Sequence, residues 1–317
     1  MLDDIKVVSI GGGTGQSAML RGLKKITSDI TAIVTVTDDG GGSGVLRSEL
    51  DMPPPGDIRN CISALSRDED LMAKLLSYRY SSGSLSGQSF GNLLIAAMNG
   101  ISETFDEAVE KVSEVLNITG RVLPVTNDKV WLCAEFEDGT YVRGEAKISD
   151  AKINGGKRIK SIHLYPEHPT VLERCIESIN AADVIIIGPG SLYTSVVPNL
   201  LVDGIADAIR KNNCRKIYVC NVMTQHGETD NYKVSDHIKA VLSHVGFKLF
   251  DTCLVNTSVP TIDAQKAYLR EMSLPVECDT EEVNALGVEV VSAPLITHGG
   301  LIRHDPDKLA YALAELF

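Results

Sequence analysis

The chain has 317 residues, 44% of them hydrophobic and 5% aromatic, with a formal net charge of −12. That length can bury a sizeable core as one large α/β domain or two modest ones, and the apolar content excludes a disordered or fibrous chain. The acidic balance excludes a general nucleic-acid surface and docking on an anionic membrane, while leaving room for a local basic pocket around a phosphate. No apolar run reaches the length of a membrane span, and the opening Asp3-Asp4 lacks the basic region and apolar stretch of a signal peptide. Seven cysteines, without CxxC or zinc spacing, are expected to be reduced core residues in a cytoplasmic protein.

The first element is a buried strand over Lys6–Ile10, apolar and rich in β-branched residues. It stops at Gly11, Gly12, Gly13, Thr14 and Gly15, and helical spacing follows at Met19, Leu20, Leu23 and Ile26. Strand, glycine turn and helix place bare N–H groups and a helix N-terminus against an anion, so this turn is a candidate phosphate site. It is not a P-loop, since no Gly-Lys-Ser/Thr follows, and Gln16 breaks the strict dinucleotide fingerprint. A second strand, Ile30–Thr37, ends at Asp38 and Asp39 among four glycines. Either carboxylate suits a ribose hydroxyl or Mg²⁺, or the segment is only an Asp-Gly turn.

After Pro53-Pro54-Pro55, Asp57 is expected to N-cap a helix, with Arg59 and Asn60 in its first turn. A cation there is electrostatically misplaced unless it meets an anionic ligand or a neighbouring carboxylate. Helices are expected over Leu71–Tyr80, from Gln88 to Met98 with Gln88, Ser89 and Asn92 at its mouth, and over Phe105–Leu116. Between Gly120 and Tyr165 the pattern changes to short strands, 122–125, 129–136, 141–148 and 159–164, with turns at Glu137-Asp138-Gly139 and Asn154-Gly155-Gly156. A β-meander inserted at about 120–165 is expected.

The strand Ala182–Ile187 then leads into Gly188, Pro189, Gly190, Ser191 and Thr194, a second candidate phosphate loop, before a helix over Pro198–Lys211. The strand Lys216–Cys220 ends in a polar loop whose Asn221, Thr224 and Gln225 suit the edge of a nucleobase; His226 is more simply a loop histidine. Strands follow at 249–256 and 289–291. Arg303, after the turn Thr297-His298-Gly299-Gly300, offers a planar fork for phosphate, and Tyr268 on a helix offers a ring for stacking. The expected architecture is a single α/β domain over 1–317, a Rossmann-like doubly wound, mainly parallel sheet with the β-rich insertion.

Taken together, Gly11–Gly15, Thr37–Asp39, Pro53–Asn60, Gly188–Ser191 and Asn221–Gln225 resemble the bacterial gluconeogenesis factor (YvcK-like) family, which looks related to the CofD 2-phospho-L-lactate transferase. The resemblance spans nearly the whole chain. It implies a Rossmann-like fold, a nucleotide-diphosphate ligand of the UDP-sugar type such as UDP-GlcNAc, and a role in cell shape and wall synthesis on gluconeogenic carbon. It also implies a homo-oligomer and a cell-wall synthesis protein as partner. Two positions depart from the family: histidine is expected where Gln88 stands and leucine where Gln16 stands. A binding regulator without catalytic residues is favoured; the alternative is a CofD-like transferase using Mg²⁺ at Asp38 and Asp39 to move a phospho-acid from a nucleoside diphosphate to an alcohol.

Overall fold

The computed structural model describes residues 5–67, 69–150, 156–270, 272–297 and 302–317. Its strands are Val7–Gly11 (β1), Ile30–Val34 (β2), Arg121–Pro124 (β3), Trp131–Phe136 (β4), Tyr141–Arg143 (β5), Ile159–Tyr165 (β6), Val184–Ile187 (β7), Arg215–Val219 (β8), Thr252–Asn256 (β9) and Glu289–Ala293 (β10). Seven form one sheet in the order β10-β9-β8-β7-β1-β2-β3, and the pairs described are all parallel. The other three make a small antiparallel sheet, β5-β4-β6. The main helices of the first half are Gly13–Leu23 (α1), Gly41–Glu49 (α2), Gly56–Leu65 (α3), Glu69–Ser77 (α4), Phe90–Asn99 (α5) and Phe105–Val115 (α6).

All five residues of β1 and of β2 are buried, as expected of strands covered on both faces. The chain builds outward from β1 through β2 to β3, crosses back, and builds the other way from β7 to β10. Its direction reverses between β1 and β7, where the carboxyl ends of a doubly wound sheet leave a crevice. One continuous apolar cluster fills both faces and runs into the small sheet through Leu132, Phe136, Ile162 and Leu164.

Several expected boundaries move. The strand read at 122–125 belongs to the main sheet as its edge β3, so the antiparallel insertion begins at β4. The strand expected over 141–148 stops at Arg143, because Gly144 takes φ 111° and a helical turn, Glu145–Ile148 (α7), follows. The helix expected over Pro198–Lys211 is two pieces, Val197–Leu200 and Ile205–Lys211, parted at the left-handed Gly204. The glycines after the two aspartates open a helix, α2, from Gly41 with Gly40 as its N-cap, while Asp38 and Asp39 precede it. Asp57 is not an N-cap: Pro55 occupies that position and Asp57 lies inside α3. The turns at 154–155 and 298–300 lie outside the described residues.

The helix Pro306–Ala314 closes on α1 at a glycine. A Cβ on Gly22 would lie 2.0 Å from the Pro306 carbonyl oxygen and 2.7 Å from Ala310 Cβ. Gly22→Ala gains about 1 kcal/mol of helix propensity, but overpacking against a backbone oxygen costs about 1–3 kcal/mol. The clash is expected to win, lowering the urea midpoint at unchanged m-value; an unchanged or raised midpoint would show that the two helices can part freely.

Candidate functional site

At the crevice, β1 ends in Gly12–Gly15 and the first turn of α1. The cleft, about 190 Å³, is lined there by Gly12, Gly13, Thr14, Gly15 and Ala18, and opposite by Pro189, Gly190, Ser191 and Ser195. The β8 loop adds Asn221 and Gln225 with Val222 and Met223, and Ile302, Arg303 and His304 close the wall. Gly13 sits at φ +66°, the left-handed conformation that favours glycine. Gly190 N–H donates to Asn221 Oδ1 at 3.3 Å, tying the β7 and β8 loops together. The Gly11 carbonyl accepts from Thr35 N–H at 3.1 Å and from Asn199 Nδ2 at 2.8 Å, so that carbonyl is held in the sheet behind the cleft. A larger cavity, about 390 Å³, lies beside α6 and β3, but its Arg174 is already held by Glu110 at 2.9 and 3.0 Å. The glycine cleft is the better candidate because two glycine-rich strand ends and the N-terminus of α1 face it.

Arg303 is exposed on the cleft wall and makes no ion pair or hydrogen bond through its side chain among the described residues. Its acidic neighbours are otherwise engaged. Asp307 pairs with Lys25 at 2.5 Å, and Asp305 caps the last helix through Asp307 N–H and Lys308 N–H.

Beside the cleft lies a polar well between α2, α3 and α5. Arg59 Nη1 donates to Ser89 Oγ at 2.8 Å and Asn92 Oδ1 at 3.1 Å, and its Nη2 to Asn60 Oδ1 at 2.7 Å. These partners are neutral oxygens. Asp38 Oδ1 accepts from Gly40 N–H, and Asp39 Oδ1 from Ala146 N–H, both at 2.9 Å. Asp57 stands between well and cleft: it accepts from Gly13 N–H, and a Cβ on Gly12 would lie 2.6 Å from its Oδ2. Desolvation first, then the Asp38 charge, pushes its carboxyl up to about 7. Glu145 is pushed up to about 8 by desolvation and then by Asp38 and Glu228, and desolvation raises the buried Glu228 to about 7. One Glu228 oxygen, Oε2, has no hydrogen-bond partner among the described residues.

Residues 7–296 match the family described as 2-phospho-L-lactate transferase CofD. The chain belongs to the CofD family. Among relatives, a gluconeogenesis factor of Bacillus subtilis is 49% identical over 313 residues, covering 98% of this chain and 98% of that protein. The gluconeogenesis factor of Listeria innocua is 42% identical over 313 residues, 98% of this chain and 95% of that one. A crystal structure of a Bacillus halodurans protein superposes with a TM-score of 0.93 at 47% identity, covering 98% and 99% of the two chains. The Rossmann-like, doubly wound fold is therefore shared with that Bacillus halodurans protein of the UPF0052 family.

Not every anticipated residue of this CofD-family chain reaches the cleft. Gly188, at φ +76°, forms the turn behind Pro189. Thr194 Oγ1 turns to Glu228 Oε1 at 3.4 Å, and Thr224 Oγ1 accepts from Leu274 N–H at 2.9 Å. Tyr268 lies behind the wall, its hydroxyl donating to the Ile302 carbonyl at 3.1 Å. Asp38, Asp39, Asp57, Arg59, Asn60 and Asn92 gather in the well. Ser195, His304, Glu145 and Glu228 were missed. Ser195 sits on a π-helical turn, Leu192–Val196, which sequence periodicity does not signal, and Glu145 fell inside a stretch read as strand. Gln16 is explained: its Nε2 donates to Ser9 Oγ at 2.9 Å and to the Ser9 and Ile33 carbonyls at 3.2 Å, stitching β1 to β2. No helix among the described residues is long and apolar enough to cross a membrane.

The raised carboxyls give a signed pH dependence. Asp57, Glu145 and Glu228 have folded values of about 7, 8 and 7, above their unfolded values. From about pH 4 to about 8 the folded chain therefore holds more protons than the unfolded one, and these groups make stability fall as pH rises. Glu145→Gln is expected to reduce the loss of urea midpoint between pH 5 and pH 8.5. An unchanged slope would mean that Glu145 titrates normally.

Proposed function

We propose that this chain is a nucleotide-sugar-binding regulator of the UDP-sugar class, UDP-GlcNAc foremost, acting in cell shape and wall synthesis during gluconeogenic growth. The observation that carries it is the convergence of two glycine-rich strand ends, at β1 and β7, on one cleft beside an unpaired arginine. A diphosphate can engage both turns at once, whereas a monophosphate meets one. The Asn221 and Gln225 side chains at the same cleft suit a base edge, and the Arg303 fork suits a phosphate. Relatives named gluconeogenesis factor support the physiological setting. No partner protein is identified by the geometry; a cell-wall synthesis protein and self-association belong to the same proposal.

Titration calorimetry is expected to show UDP-GlcNAc binding more tightly than UMP; equal affinity, or none for either, would sink the proposal. Arg303→Ala should weaken UDP-GlcNAc at least about tenfold, the ~1.4 kcal/mol at the low end for a charge-assisted hydrogen bond. The melting temperature without nucleotide should hold. A fall in melting temperature at constant affinity would make Arg303 structural.

One observation favours the transferase alternative: Asp57, at about 7, can carry a proton beside Gly12 and Gly13 at neutral pH. Mg²⁺ would have to rest on Asp38 and Asp39, yet both already accept backbone N–H groups. Among the described residues no three His, Cys, Asp or Glu side chains are grouped to hold a metal ion. Two carboxylates would give Mg²⁺ only part of its shell, the remainder coming from phosphate and water. Release of free nucleotide from a nucleoside-diphospho-acid in the presence of an alcohol and Mg²⁺ would decide for the transferase.

A further inference from the structure

The small sheet turns one face to the core and the other outward. Leu132, Ala134 and Phe136 of β4 and Ile162 and Leu164 of β6 are buried. The alternate residues share the opposite face, where Trp131 stands beside Tyr165, Cys133 beside Arg143 and His163, and Glu135 beside Tyr141. Tyr141 and Tyr165 are 59% and 55% exposed, Arg143 is exposed and Trp131 is half-buried. The Arg143 guanidinium lies 4.8 Å from the Trp131 ring centroid and 4.4 Å from that of Tyr165. The buried Arg47 of α2 stacks on the same indole at 4.0 Å and donates through Nη2 to the Val130 carbonyl, which anchors that end of the face. Two rings thus hold Arg143 in place. Among the described residues its side chain makes no hydrogen bond or ion pair, and Glu135 on the same face is taken by Lys160 at 2.7 Å.

The edges of this sheet differ. On the β6 side, Ile162 N–H is met by His244 Nε2 at 3.0 Å. On the other side, Phe136 N–H donates to the Thr140 carbonyl at 2.9 Å and Gly144 N–H to the Leu132 carbonyl at 2.8 Å. Such exchanges fall on alternate residues of an antiparallel pair. Val142 therefore turns its backbone groups to β4, while Tyr141 and Arg143 turn theirs away, and no partner meets those among the described residues. β5 is an open edge beside an exposed cluster of Trp, Tyr and Arg, the side chains that dominate binding at protein interfaces.

Charge indicates what fits there. Residues 129–165 carry seven Lys and Arg against five Asp and Glu, in a chain that has 30 against 42. The insertion is the basic part of an acidic protein, so an acidic partner is favoured here and repelled over the rest of the surface. A guanidinium already stacked on two rings gives up little freedom when its fork meets a carboxylate.

We propose that the free edge of β5 takes an extended acidic segment of a partner protein, in which carboxylates alternate with apolar side chains. The segment adds as a fourth strand. Its carboxylates lie on the outward face with Arg143, and its apolar side chains lie on the core side beside the half-buried Val142. This surface does not depend on what occupies the glycine cleft; it gives the protein partner of the preceding proposal a place and a chemistry.

The test uses an acetylated and amidated Glu-Val-Glu-Val-Glu-Val peptide, its Lys-Val counterpart and hexathymidylate, titrated by calorimetry. Trp131, the chain's single tryptophan, supplies a fluorescence readout at the face itself. The Glu-Val peptide is expected to bind with a saturable change in that fluorescence and at least tenfold more tightly than the Lys-Val peptide. Arg143→Ala should weaken it at least tenfold at unchanged melting temperature, and Arg143→Lys should restore only part, since charge returns without the planar fork. Of two Glu-Val peptides N-methylated at alternate backbone positions, one at every Glu and one at every Val, only one should lose binding, because only alternate N–H groups face the β5 edge. UDP-GlcNAc titrated into Arg143→Ala should behave as with the wild type, which separates a failure here from a failure at the cleft. No binding of the Glu-Val peptide, equal affinity for the Lys-Val peptide, unchanged affinity in Arg143→Ala, or equal loss with both methylated peptides overturns the proposal. Tighter binding of hexathymidylate than of the Glu-Val peptide also overturns it, in favour of a nucleic-acid surface.

Discussion

Backbone lies against backbone where α1 begins. A Cβ on Gly15 would sit 2.7 Å from the Pro189 carbonyl oxygen, and one on Gly190 would sit 3.2 Å from the Gly12 carbonyl oxygen. Each glycine turn is thus seated on the main chain of the other, with the Ser195 side chain alongside. The rest of the cleft depends on that approach, because it brings two glycine-rich strand ends to one volume. Asn199 reinforces it from below, donating at 2.8 Å both to the Gly11 carbonyl and to the Ser195 carbonyl.

Much of this was legible in the sequence. Buried parallel strands are short apolar runs, and glycines mark where each meets the crevice, so β1, β2, β7 and β8 could be placed from their residues alone. What escaped depends on contacts that residue type and periodicity do not announce. The glycines after Asp39 argued against a helix by propensity. Yet a Cβ on Gly44 would lie 2.1 Å from the Asp39 carbonyl, so close packing requires the glycine and α2 forms around it. Asp57 had the look of a cap, but its carboxyl is drawn to Gly13 N–H, a residue 44 positions earlier. Gln16 looked like a defect in a phosphate fingerprint until Ser9 and Ile33 supplied its acceptors.

Electrostatics divides the neighbourhood in two. A chain with a net charge of −12 leaves a guanidinium, Arg303, without a carboxylate on the cleft wall, while neighbouring carboxylates are spent on backbone donors and caps. The well next door has the opposite character: burial first, helped at Asp57 and Glu145 by neighbouring carboxylates, holds three carboxyls toward their neutral forms. Arg59 does not neutralise them through hydrogen bonds; its donors go to Ser89, Asn92 and Asn60. The side of Asp57 toward Arg303 thus suits an anionic group, and the other side a neutral or proton-donating one.

The crossover from β3 back to β7 has a consequence for biosynthesis. The lips of the cleft come from residues 12–15, 189–191, 221–225 and 302–304, so the first and last contributors are separated by nearly the whole chain. At about 5–20 residues per second, a ribosome delivers the last lip roughly 15–60 s after the first. During that interval the β1 glycine turn can be folded against α1 and β2, but it has neither its facing loop nor its closing wall. A nascent chain therefore has no complete cleft until synthesis has run past Arg303.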